Sequence, residues 1–103
     1  MDETLRIDKY LWFARFVKTR TAAHAVIAEG RLRIDGRVVD RAHVAVRVGN
    51  VLAFPLHGRV RVVRVTRLPM RRGPAEEARA CYEEIPDPHA PENANVSQQL
   101  AEY

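Results

Sequence analysis

At 103 residues the chain has room for one compact domain and a short appendage, with too little core to spare for a deep enzyme cleft. Hydrophobic residues make up 47% and charged residues 29%, the proportions of an ordinary globular protein, and no apolar run approaches the ~18 residues of a membrane span. Net charge is +4, but residues 1–73 carry 16 Lys+Arg against 6 Asp+Glu, a balance of +10, whereas residues 74–103 carry one Arg against seven acids, a balance of −6.

A basic body with an acidic tail points to a polyanionic partner for the body. Of the sixteen cations in that body only Lys9 and Lys18 are lysine. Met1-Asp2-Glu3-Thr4 is acidic and leads into no apolar core, so no secretory signal is expected. Cys81 is alone and can form no internal disulfide, and no His/Cys set has zinc-ligand spacing. The expectation is a cytoplasmic protein with no metal and no cofactor.

Asp8 to Val17 reads as a first helix, with Asp8 as its N-cap. At 100° per residue Ile7, Tyr10, Leu11, Phe13, Ala14 and Val17 fill one arc of about 160°, the expected core face. Asp8, Lys9, Trp12, Arg15 and Phe16 fall on the opposite arc, which is basic with aromatics interleaved. Thr19 can cap a second helix running to Glu29, and Gly30 stands where a helix end favours a left-handed residue. In this helix Ala22, Ala23, Val26 and Ile27 share the buried face, and Arg20 and His24, four apart, share the exposed one. Arg15, Lys18 and Arg20 therefore gather at the turn between the helices, beside the positive end of the second helix dipole, as a ready phosphate site.

From Arg31 the period changes to two. Leu32 and Ile34 alternate with Arg31 and Arg33 ahead of Asp35-Gly36, a strong hairpin signal, with Val38-Val39 returning. Val44, Val46 and Val48 alternate again, and Gly49-Asn50 turns into Val51–Phe54. A Pro55–Gly58 loop leads to Arg59–Arg67, whose phase slips at Val62-Val63, predicting a bulge or burial on both faces, and whose arginines form a basic stripe. Ala75 to Glu84 reads as a short helix packing on the domain, with Pro74 at its start and Glu76 and Glu77 in its first turn. Residues 86–103 form an acidic, Pro-containing tail with the composition of a disordered segment.

The stretch Arg6-Ile7-Asp8-Lys9-Tyr10-Leu11-Trp12-Phe13-Ala14-Arg15-Phe16-Val17-Lys18-Thr19-Arg20, followed by Ala23, Ile27, Gly30, Arg31 and Asp35-Gly36, resembles the alpha-L RNA-binding motif named after small-subunit ribosomal protein four. With Arg71-Arg72-Gly73-Pro74-Ala75-Glu76-Glu77-Ala78 and Tyr82-Glu83-Glu84 added, the chain is most similar to the bacterial fifteen-kilodalton ribosome-associated heat-shock proteins. That resemblance implies an α+β fold, two N-terminal helices on a small, mostly antiparallel sheet, with the RNA-binding domain in residues 1–73. It implies binding to ribosomal RNA of free large subunits that still carry a nascent chain on tRNA. The family's RNA-contacting positions fall on Arg6, Lys9, Arg15, Lys18, Thr19 and Arg20, with Arg31 and Arg33 secondary. Family members often end in a long basic tail, from which the acidic residues 86–103 depart.

The residues themselves fit such a role. Arginine makes bidentate phosphate contacts, and structured RNA is read by shape, phosphate, 2′-hydroxyl and stacking on exposed aromatics. Trp12 or Phe16 would serve for stacking, against the commoner outcome that both are packed under later strands. His24 could hydrogen-bond RNA or carry a pH-dependent charge but reads first as a surface histidine, and Cys81 reads as a packing residue with no base beside it. No nucleophile–base pair or phosphate loop points to an enzyme. Two alternatives remain: a helix-turn-helix DNA binder over residues 8–30, whose second helix is short of base-reading side chains, and a separately encoded RNA-binding subunit of an RNA-modifying enzyme. A monomer is the simplest expectation.

Overall fold

The computed structural model describes residues 3–86. Ten short elements follow in chain order: β1 (Leu5–Arg6), α1 (Ile7–Phe13), α2 (Arg20–Ala28), β2 (Arg33–Ile34), β3 (Arg37–Val38), β4 (Ala45–Val46), β5 (Val51–Leu56), β6 (Arg59–Val65), α3 (Ala75–Arg79) and β7 (Tyr82–Glu84). The α+β class holds, with five strands ordered β3-β2-β5-β6-β7 and a separate β1-β4 pair, all antiparallel among the described residues. The acidic tail expected over 86–103 lies, beyond Pro86, outside the described residues.

The first helix is shorter than its periodicity suggests. After Phe13 the chain closes in a Schellman motif: Phe16 N–H donates to the Leu11 carbonyl at 3.0 Å and Arg15 N–H to that of Trp12 at 3.1 Å. Arg15 occupies the left-handed position at φ 64° that glycine commonly fills, and Gly30 fills the equivalent place after α2 at φ 76°. The apolar pattern runs past the helix end because the turn itself is buried. Phe16 and Val17 both lie in the core, and Phe16 packs at a tilt against Tyr82 and edge-on against Phe54, with centroids 4.5 and 5.2 Å away.

Ile7, Tyr10 and Leu11 of α1 and Ala23 and Ile27 of α2 pack on Leu32, Ile34, Leu52, Phe54, Val63 and Val65 of the sheet region. The helices belong to the same core as the strands, so α1 and α2 are fixed in relation to the β2–β3 hairpin. That hairpin turns on Asp35 and Gly36, both with positive φ (51° and 85°), the backbone of a type I′ turn.

Two expectations give way in the second half, and one open alternative is decided. The loop expected over Pro55–Gly58 is only the two residues His57-Gly58; Pro55 and Leu56 continue β5. Proline is tolerated there because β5 has run past β2, which pairs only with Leu52 and Ala53, leaving an open edge. The Val62-Val63 slip is burial on both faces, since the β5–β6 register is continuous from Val51↔Arg64 to Leu56↔Arg59. The helix expected to Glu84 ends at Arg79, and Tyr82–Glu84 instead fills the free edge of β6. Tertiary partners override helix propensity: the Tyr10 hydroxyl donates to the Cys81 carbonyl at 2.8 Å and the Tyr82 ring covers Phe16.

Candidate nucleic-acid interface

The start of α1 needs no side-chain cap. Its first N–H groups, on Ile7 and Asp8, donate to the carbonyls of Val44 (2.8 Å) and Ala42 (3.3 Å), and Arg6 is the cap residue. Asp8, expected as the cap and on the exposed arc, sits inside the first turn with 0% exposure. Released from capping, its carboxylate joins three elements. Oδ1 accepts from Arg6 Nε (3.1 Å) and Lys9 N–H (2.8 Å); Oδ2 accepts from Arg6 Nη2 (3.1 Å), Arg20 Nε (3.1 Å) and His24 Nε2 (2.9 Å).

Burial alone would raise the Asp8 pKa. The hydrogen bonds from His24, Arg20, Arg6 and the Lys9 N–H outweigh it and hold the carboxyl at about 2. Arg6, Arg20 and His24 cover the carboxylate from the outside and are themselves about half exposed, at 44%, 40% and 51% of their side-chain surface. One buried anion thus orients two guanidinium groups and an imidazole toward solvent. His24 is accordingly no plain surface histidine. The four-residue Arg20–His24 spacing puts both side chains on one face of α2, read from the sequence as the exposed face, and Asp8 of α1 lies against it.

The remaining expected residues spread around this cluster. Thr19 caps α2, its Oγ1 accepting from Ala22 N–H at 3.0 Å, and Lys18 beside it is exposed. Lys9 is half-buried one residue beyond Asp8. Arg15 is exposed, but its Nε donates to the Gly73 carbonyl at 2.6 Å, and Arg72 Nη2 reaches back to the Val17 carbonyl at 3.4 Å. The Arg72-Gly73 segment therefore braces the inter-helix turn, a role sequence reasoning missed. Arg31 and Arg33 are exposed on the approach to the hairpin, out of phase with buried Leu32 and Ile34, and make no bond to the Asp8 cluster.

The basic stripe expected over Arg59–Arg67 is divided, and only its two middle arginines are matched by acids, Arg59 and Arg67 having no acidic partner among the described residues. Arg61 pairs with Glu84 and Arg64 with Glu83 (3.2 Å), on opposite faces of the strand. Of the aromatics offered for stacking, Phe16 is buried, with the Arg61 guanidinium 5.3 Å from its ring centre. Trp12 is half-buried against Phe13, centroids 5.4 Å apart. Cys81 is buried, and burial raises its thiol pKa. Among the described residues no His/Cys/Asp/Glu group is arranged to hold a metal ion, and no helix is long and apolar enough to cross a membrane.

Two helices joined by a basic turn and set on an antiparallel hairpin define an S4-domain protein, and the S4 domain family matches residues 5–52. The chain is 34% identical over 85 residues to the heat shock protein 15 homolog of Haemophilus influenzae, covering 81% of this chain and 63% of that protein, so it spans less than two thirds of that relative's length. It is 32% identical over 68 residues to an RQC P-site tRNA stabilizing factor of Listeria innocua, covering 66% of this chain and 73% of that one. Among solved structures, heat shock protein 15 of Vibrio cholerae superposes with a TM-score of 0.80 over 96% of this chain and 99% of that one at 24% identity, a likeness of fold. The chain belongs to the heat shock protein 15 family of S4-domain proteins. The Vibrio structure is trimeric, which runs against the simple expectation of a monomer.

Proposed function

We propose that this protein binds ribosomal RNA through the α1–α2 face and acts on free large ribosomal subunits that retain a nascent chain on tRNA, as a cytoplasmic translation-rescue or heat-shock factor rather than an enzyme. The observation that carries the reading is an imbalance of charge. On β6 each of Arg61 and Arg64 has its own glutamate, whereas at the helix pair one carboxylate, Asp8, is shared by Arg6 and Arg20. With Lys9, Arg15 and Lys18 close by in sequence, that end of the molecule keeps an excess of positive charge for a polyanion.

In this reading Arg6, Lys9, Arg15, Lys18, Thr19 and Arg20 meet RNA phosphates, and Arg31 and Arg33 extend the contact along the hairpin. The likeness to an RQC P-site tRNA stabilizing factor supports a ribosomal partner. The test is sedimentation of the tagged protein through sucrose gradients of stressed and unstressed cells. Migration with free large subunits, reduced by the variant Lys9→Ala/Lys18→Ala, is the expected result. Absence from every ribosomal fraction overturns the ribosomal reading. Competition by duplex DNA then tests the DNA-binding alternative, and a stable enzyme partner in pull-downs the subunit alternative. For purified RNA, log K should fall by about 0.7 per neutralised phosphate against log salt if the contacted strand is single.

A further inference from the structure

We propose that Arg6, Arg20 and His24, fanned around the Asp8 carboxylate, form one RNA phosphodiester site in which His24 binds as the imidazolium, so that RNA binding takes up a proton. This rests on the RNA-binding reading above and names the site and protonation state that serve it.

The donor inventory leads there. Arg20 spends only Nε on Asp8, and among the described residues its two terminal nitrogens have no partner. They are the fork that grips a phosphate in bidentate fashion. Arg6 binds Asp8 side-on through Nε and Nη2, which leaves Nη1. The Asp8 carboxylate is ionised and can only accept, so His24 Nε2, 2.9 Å from Oδ2, must be the donor in that bond. This fixes the tautomer. In neutral His24 the other ring nitrogen, Nδ1, then carries a lone pair, which repels a phosphate oxygen. A proton taken from bulk water turns Nδ1 into an N–H donor and adds a positive charge at the same point.

Charged groups from three elements surround that ring. Asp8 from α1 attracts the proton; Arg20 on the same helix and Arg6 from β1 oppose it through their charge, and an incoming phosphate offsets their repulsion. The 42–44 segment, which packs on the first turn of α1, brings His43 as a titratable side chain, with Arg41 just before it; neither bonds to the Asp8 carboxylate among the described residues.

The test measures binding of deproteinised large-subunit ribosomal RNA at pH 8 and pH 6 at one ionic strength, for the wild type, His24→Gln and His43→Gln. Glutamine at 24 can still donate to Asp8 but cannot take up a proton. The wild type and His43→Gln should bind about threefold to tenfold more tightly at pH 6, the size of one charge-assisted contact. His24→Gln should gain nothing between pH 8 and pH 6. Calorimetry in buffers of different ionisation heat should show proton uptake by the wild type that His24→Gln lacks. Equal pH dependence in wild type and His24→Gln, or its loss in His43→Gln alone, overturns this inference and leaves RNA binding intact. No binding by any of the three proteins at either pH overturns the RNA-binding reading itself, and the inference with it.

Discussion

Arg15 and Gly73, 58 residues apart, are joined by a 2.6 Å hydrogen bond from the guanidinium Nε to the glycine carbonyl. The same arginine holds the left-handed position that ends α1, at φ 64°. Its side chain therefore offsets some of the strain of its own backbone by tying the turn to the segment before α3. Arg15→Ala keeps the strained backbone and loses the tie, and should destabilise the fold by about 1 kcal/mol, lowering Tm by about 4–8 °C. Arg15→Gly loses the tie but removes the strain, so it should be the more stable of the two by about 1 kcal/mol. Thermal unfolding followed by circular dichroism compares them directly.

The Asp8 cluster makes stability depend on acid. The carboxyl ionises at about 2 in the folded protein against an ordinary value of 3.8, so its contribution is complete above about pH 4 and is lost as pH falls through about 2. That contribution is about 2 kcal/mol. Urea unfolding from pH 5 to pH 2 should show a loss of that size in the wild type and not in Asp8→Asn, which is weaker at neutral pH because it leaves two guanidinium groups without their anion. A wild type and variant with parallel pH profiles would contradict the cluster.

Asp35 does more than turn the hairpin. Its carboxylate accepts from Val51 N–H and Asn50 Nδ2, at 2.8 and 2.7 Å, linking the β2–β3 turn to the start of β5. Asp35→Ala should cost about 1–2 kcal/mol, and Asp35→Asn less, because asparagine keeps an acceptor oxygen and tolerates positive φ. Chemical denaturation of the pair gives the ordering.

Cys81 should resist thiol reagents in the folded state, being 2% exposed and held as the thiol by burial. Ellman's reagent should label it at the rate of unfolding, rising with urea; rapid labelling in native buffer would show the β6–β7 edge to be open.

The parts of this fold that local patterning dictates were legible in the sequence. The Thr19 cap, Gly30, the Asp35-Gly36 turn and the inward-facing Leu32 and Ile34 each follow from a residue and its immediate neighbours. The departures have a common origin in contacts distant along the chain. Asp8 looks like a cap until Ala42 and Val44 supply the carbonyls that do the capping. Phe16 falls opposite the core arc of a continued helix, and its packing under later strands, the commoner outcome, comes about because the Schellman turn swings it beneath Tyr82. Tyr82–Glu84 looks helical until the open edge of β6 is known. At the candidate interface Arg20 was expected from its place beside the turn, but His24 becomes visible only once Asp8 is seen to be buried beneath both.

The bond between the Tyr10 hydroxyl and the Cys81 carbonyl spans 71 residues. Such wide sequence separation bears on how the protein is born. The N-terminal helices are made first, yet the Cys81 carbonyl, the Tyr82 ring over Phe16 and the final strand on β6 arrive only when synthesis has passed residue 84. Until then Phe16 lacks its cover and the β6 edge is unpaired, the kind of surface that invites misassembly. Assembly should therefore finish late in synthesis, and more slowly than for a helical bundle of the same length.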